Sequence, residues 1–171
     1  MHIDMPDWVR LEYPSWMGPS LRAIFGRRLE TELQALSQTA PVDLRVNTLK
    51  ATREQVQSAL TGDGIEVEPT PLSPLGLRLQ SRARLGGTHA FKRGLFEVQD
   101  EGSQLIALLC GVRPGMTVID YCAGAGGKTL AMAAALGPSG GKGAEDGAPR
   151  GRLIACDVSR YRMDRMAPRL K

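Results

Sequence analysis

Apolar positions in the first forty residues recur at helical intervals. In "PSLRAIFGRRLETELQALSQ" the residues Leu21, Ile24, Phe25, Leu29, Leu33 and Leu36 follow helical spacing, and Gly26 is expected to bend or divide the segment. From Pro41 the period shortens. "VDLRVNTL" puts Val42, Leu44 and Val46 on one face and Asp43, Arg45 and Asn47 on the other, the alternation of a half-buried strand. "TREQVQSALTGDG" returns to helical spacing, with Thr52 at the N-cap position, Gln55 three residues on and a glycine stop. "IEVEPT" and "GLRLQ" are short alternating strands around a proline-rich turn. "FKRGLFEVQDEG" predicts a turn at Gly94 and a strand over residues 95–98.

Near residue 99 the pattern changes again. "EGSQLIALLCGV" is an apolar helix, and "MTVIDYC" is a β-rich run of the fully buried kind. It leads into "AGAGGKTLAMAAAL", a glycine turn that opens an alanine-rich helix. "GPSGGKGAEDGAPRG" is predicted to be a mobile loop. "RLIACD" is a second buried strand, and "SRYRMDRMAPRLK" a second helix that Pro168 should kink. Buried strands alternating with helices predict a parallel α/β unit. The expected fold is therefore α/β: a small N-terminal α+β (RRM-like) module over residues 1–98, then the first half of a Rossmann-like domain over residues 99–171. Two parallel strands make a poor sheet, so the sequence is read as a piece of a longer protein.

Composition narrows the picture only slightly. The 171 residues carry a net charge of +4, with an arginine-rich excess that suits an anionic partner. Cys110, Cys122 and Cys156 have no C-x-x-C spacing and apolar neighbours, and His2 and His89 are far apart in sequence, so no metal site is expected. No apolar run approaches a membrane span and no signal peptide opens the chain, so a cytoplasmic protein without a membrane partner is expected. Nothing in the sequence sets an oligomeric state.

The chemistry is concentrated in "DYCAGAGGKT", residues 120–129. The tail Gly127-Lys128-Thr129 suits a phosphate-binding P-loop, yet the first glycine of that pattern is replaced by Cys122. Gly124 and Gly126 suit a dinucleotide turn, yet its third glycine is Thr129. A third ligand, S-adenosylmethionine, needs a strand ending in an acid, small residues that let backbone approach it, and an acid after the next strand for the ribose hydroxyls. Asp120 and Asp157 supply the two acids. Lys128 reads equally as a contact to a carboxylate or phosphate and as a solvated first-turn lysine.

The run "GLFEVQDEGSQLIA…PGMTVIDYCAGAGGKTLAMAA…LIACDVSRYRMDRM", with "VDLRVNTLKATREQV" upstream, resembles the Sun (Fmu) family of RNA cytosine-5 methyltransferases of the RsmB-like kind. The resemblance implies methyl transfer from S-adenosylmethionine to cytosine carbon 5 in RNA, often ribosomal RNA. It implies that Cys122, Ala123, Gly124, Ala125, Gly126, Gly127 and Lys128 surround the methionine part. Asp157 would take the ribose, and Arg162 falls where members keep an arginine. Many members have proline where this chain has Ala125. In the family a cysteine thiolate adds to carbon 6 and makes carbon 5 nucleophilic, and one of its cysteines stands in a Pro-Cys segment. No Pro-Cys occurs in these 171 residues. All three cysteines are expected in packing roles, so no catalytic residue is assigned and the isolated chain is expected to be inactive. Arg45, Asn47 and Lys50, with Lys92 and Arg93 before the next strand, are the expected RNA contacts, set against the plainer reading of a polar strand face. The competing function is a noncatalytic RNA-binding or assembly module. A P-loop hydrolase is a weaker third.

Overall fold

The computed structural model describes residues 5–137 and 151–170, so most of the glycine-rich stretch expected as a loop lies outside the described residues. Two compact units result, Met1–Ala40 and Pro41–Lys171. The sequence placed its division at residue 98. Residues on both sides of that point fall in the second unit.

The first unit is helical, with α1 (Asp7–Arg10), α2 (Gly18–Phe25) and α3 (Leu29–Leu36) joined by short 3-10 turns. Gly26 adopts φ 52, a conformation costly for residues with a Cβ, and it divides α2 from α3 as its position predicts. The break resets the helical phase. Leu29 and Leu33 join Leu11 and Tyr13 in a small core, whereas Ile24 and Leu36 from the same apolar series are exposed.

The second unit opens with a four-stranded sheet of β1 (Asp43–Val46), β2 (Val67–Pro69), β3 (Gly76–Leu79) and β4 (Phe96–Val98). The order is β2-β3-β1-β4, and each neighbouring pair is antiparallel. Helix α4 (Arg53–Gly62) follows β1 and the four-residue α5 (His89–Lys92) precedes β4, which gives a split β-α-β arrangement of ferredoxin-like type. Helix α4 starts where the sequence places it: Gln55 N–H donates to Thr52 Oγ1 at 3.3 Å, and the Thr52 N–H donates back to Gln55 Oε1 at 2.9 Å. Its buried face, Val56 and Leu60, packs with Leu44, Val46, Leu77 and Phe96 in the main core.

Helix α6 (Glu101–Leu109) begins two residues after β4, capped by Asp100, whose carboxylate accepts the Ser103 N–H at 3.1 Å. It packs on β1 and on α7 (Gly127–Leu136). Strands β5 (Thr117–Asp120) and β6 (Arg152–Ala155) pair in parallel, in the register Thr117↔Arg152 to Asp120↔Ala155, as the α/β pattern predicts. They are not buried on both faces. Ile119 is 62% exposed, because among the described residues two strands and α7 leave the other face uncovered. Pro168 does not kink a continuous helix: α8 (Arg160–Asp164) stops four residues before it, and Pro168 lies within a 3-10 turn, Ala167–Arg169. No helix among the described residues is long and apolar enough to cross a membrane.

Candidate functional site

The glycine loop lies between the end of β5 and the start of α7, beside the end of β6. Ala123 N–H donates to the Cys156 carbonyl and Cys156 N–H to the Asp120 carbonyl, both at 2.8 Å, which ties the loop to the neighbouring strand. Gly124 and Gly126 have φ of 55 and 90, so the turn needs residues without a Cβ. A Cβ on Gly124 would stand 2.5 Å from the Arg162 guanidinium, and one on Gly126 2.5 Å from Met166 Sδ.

Asp157 organises this corner. Its Oδ2 accepts the Gly124 N–H at 2.7 Å and its Oδ1 the Ser159 N–H at 2.8 Å. Arg162 Nη1 lies 3.9 Å from Oδ2, and the Asp157 side chain is only 4% exposed. The Ser159 and Gly124 N–H groups, aided by the Arg162 charge, hold the carboxyl below the usual carboxylate range against the opposing effect of burial. Asp120 plays a different part, since its Oδ2 accepts the buried Thr129 hydroxyl at 2.6 Å and fixes the first turn of α7. The sequence weighed Thr129 only against loop templates and assigned it no partner. Its proximity to Asp120 depends on the turn geometry and leaves no spacing signature. Lys128 projects into solvent from that turn. The N–H groups of Gly127, Lys128 and Thr129 lack intrahelical acceptors by helix geometry, and no side chain caps α7 at Gly126. The structure thus brings Gly124, Gly126, Asp157 and Arg162 together.

The cysteines are placed differently from expectation. Cys110 and Cys122 are exposed and Cys156 is half-buried, so none is the core residue that its apolar neighbours suggested. Cys110 sits at the C-cap of α6, on a helix whose Ile106 and Leu109 are also exposed. Cys122 falls on the outer side of the turn after β5.

The polar face of β1 is also corrected. Asp43 and Arg45 are 2% and 3% exposed, because α6 covers the face that alternation assigned to solvent. Arg78 donates to Asp43 through Nε at 2.7 Å and Nη2 at 3.0 Å, and the Glu101 N–H adds a third bond at 3.1 Å. The Arg78 hydrogen bonds lower the Asp43 carboxyl below its ordinary range; burial opposes the shift and the Glu101 N–H supports it. Glu101 Oε1 accepts the Leu72 and Ser73 N–H groups at 2.7 and 2.8 Å. Burial disfavours its ionisation, yet these bonds and the Arg78 charge bring its carboxyl below the ordinary value. Gln104 accepts from the Ser73 hydroxyl at 2.7 Å and donates to the Gln99 carbonyl at 2.8 Å. Arg45 Nε donates to Gln99 Oε1 at 2.6 Å, and burial lowers its guanidinium from the ordinary value. Arg45 is therefore engaged within the protein and, at 3% exposure, cannot serve as a surface phosphate contact. Asn47 joins β1 to the Gly94 turn, donating to the Gly94 carbonyl at 3.0 Å and accepting the Leu49 N–H at 3.2 Å. Lys50 is exposed, and its Nζ donates to the Arg93 carbonyl at 3.3 Å.

The chain is similar to known proteins along most of its length. Residues 13–85 match the ferredoxin-like domain of RsmF/B-like methyltransferases. Ribosomal RNA small subunit methyltransferase B of Citrobacter koseri is 29% identical over 162 residues, 95% of this chain and 35% of that protein. The crystal structure of PH0851 superposes with a TM-score of 0.81 at 29% identity, over 95% of this chain and 34% of that one. The crystal structure of NSun6 from Pyrococcus horikoshii with SFG has a TM-score of 0.76 at 17% identity, over 92% of this chain and 62% of that one. The chain spans about a third of the length of the curated relatives it matches.

Proposed function

We propose that this chain, which belongs to the Sun (Fmu) family of RNA methyltransferases, holds S-adenosylmethionine between residues 122–128 and Asp157 and contributes to methylation of cytosine carbon 5 in RNA. The observation that carries the reading is the lock of Asp157 on Gly124 at the carboxyl ends of two parallel strands, the place where ligands of such sheets bind.

The residues present fit that donor. Each Asp157 oxygen holds one backbone N–H and keeps a second lone pair for a ribose hydroxyl. Gly124 and Gly126 let Arg162 and Met166 lie directly against the loop backbone. The first-turn N–H groups of α7, with Lys128, offer donors to the methionine carboxylate. Cys122, Ala123, Ala125 and Gly127 complete the loop, and Arg162 braces Gly124 from outside. The donor supplies an electrophilic methyl group; the protein residues bind, orient and shield it.

Two functional parts are proposed, RNA presentation by residues 1–98 and donor binding by residues 99–171. Lys50 is the proposed phosphate contact, while Arg45 and Asn47 act indirectly by fixing the β1 end and the Gly94 turn. The names of the relatives support ribosomal RNA as the substrate, and the cytoplasm is its proposed place. With no Pro-Cys in the 171 residues, and with Cys110, Cys122 and Cys156 assigned no catalytic role, the chain alone is proposed to transfer no methyl. Calorimetric titration of the 171-residue chain with S-adenosylmethionine tests the donor site: binding that Asp157→Ala abolishes supports it, and equal affinity in both proteins rejects it. Methyl incorporation into RNA by the chain alone would overturn the assignment of inactivity.

A further inference from the structure

A cleft lies on the α5–β4 side of the four-stranded sheet. It encloses about 560 Å³ and is lined by Lys50, Phe91, Lys92, Arg93, Glu97 and Arg169, among others. Phe91 is 43% exposed, yet it is not loose. Its N–H donates to the Thr88 hydroxyl at 3.1 Å, and its ring leans on buried Phe96 with centroids 5.8 Å apart. The charge around it is one-sided. Glu97, the acid of the lining, is paired with Arg169. Among the described residues, Lys50, Lys92 and Arg93 have no carboxylate within ion-pairing distance. The turn at Gly94, φ 64, lets Lys50 reach the Arg93 carbonyl, and the three cations line the same cleft as the ring.

An exposed, braced aromatic edged by unpaired cations is the arrangement that recognises a splayed nucleotide: the ring takes a base face and the cations take the phosphate. The volume lies in the range of small-molecule sites and admits one nucleotide. We propose that this cleft seats one unpaired nucleotide of single-stranded RNA, with its base on Phe91 and its phosphate at Lys50, Lys92 and Arg93. The proposal rests on the RNA reading above and adds that the bound strand is unpaired at this point.

The test is anisotropy of a fluorescein-labelled ten-nucleotide single-stranded RNA with the 171-residue chain at low salt. Phe91→Leu, which keeps apolar packing on Phe96, should weaken binding roughly five- to fiftyfold, and Phe91→Trp should retain it. Lys50→Ala with Lys92→Ala should lower the salt slope by about 0.7 for each phosphate no longer neutralised. Thermal unfolding of each variant separates a folding defect from a weakened RNA interface. Undiminished binding by Phe91→Leu, or equal binding of a blunt RNA duplex, overturns the cleft while leaving RNA binding intact. Failure of the unaltered chain to bind any RNA overturns both readings. Since donor binding is measured separately, it survives either result.

Discussion

The carboxylate of Asp157 accepts the backbone N–H of Gly124 across the ends of two parallel strands, at 2.7 Å. One residue thus shapes the loop and is also the proposed partner of the ribose. The two roles separate in a substitution series. Asp157→Asn keeps an acceptor for one N–H and loses the charge. Asp157→Ala loses both. Affinity for S-adenosylmethionine should fall in steps, by roughly a hundredfold or more for alanine, read by calorimetry. A fall in thermal stability without a change in affinity would confine Asp157 to holding the loop.

Acid should unfold the second unit through particular carboxylates. Asp43 and Asp157 both ionise more readily when folded than the free side chain does. Their stabilisation is complete above the unfolded value of about 3.9 and disappears as pH falls through the depressed folded values. Asp43→Asn should therefore cost about 2–4 kcal/mol near neutral pH, since it leaves Arg78 without its buried partner. The gap to the unaltered protein should close below pH ~4 in urea titrations. A constant gap across pH would mean that packing, rather than charge, dominates at Asp43.

Gly76 is required for its lack of a side chain. A Cβ there would stand 1.9 Å from Thr70 Oγ1 and 2.9 Å from Thr70 Cβ. Gly76→Ala should destabilise by about 2–3 kcal/mol, and adding Thr70→Ala should recover part of that loss. Denaturant midpoints of the two single variants and the double variant measure the coupling.

The capping box of α4 is a local test of the same kind. Thr52→Ala removes the acceptor for the Gln55 N–H and should cost about 1 kcal/mol, whereas Thr52→Ser should cost a few tenths at most. Equal losses would show that the threonine methyl, and not the hydroxyl, holds this end.

Features encoded between near neighbours were legible before the structure. The Thr52–Gln55 box, the Gly26 break and the Gly94 turn each depend on a few adjacent residues, and the parallel β5–β6 unit follows from the alternation of strand runs with helices. The meeting of the glycine loop with Asp157 was also legible, because a turn and an acid that follow neighbouring parallel strands fall side by side. The polar face of β1 was not. Alternation in "DLRV" records that one face meets the core, but the helix that covers the other face starts at Glu101, 58 residues after Asp43. Apolar neighbours misled the reading of Cys110, since α6 is apolar on more sides than its described partners cover. With aromatics at 5% of the chain, nothing in the sequence singled out Phe91. One braced ring needs no abundance.

The seam between β4 and α6 has no spare residue. Gln99 gives its N–H to the Asp43 carbonyl, its side chain to Arg45 and its own carbonyl to Gln104, and Asp100 caps the helix. A single inserted residue would turn α6 by ~100° and slide it by ~1.5 Å, undoing the grip of Glu101 on Leu72 and Ser73. Sequence drift can change what stands at this junction, but its length is fixed. An alignment gap there would mark a chain in which the two sheets had parted company.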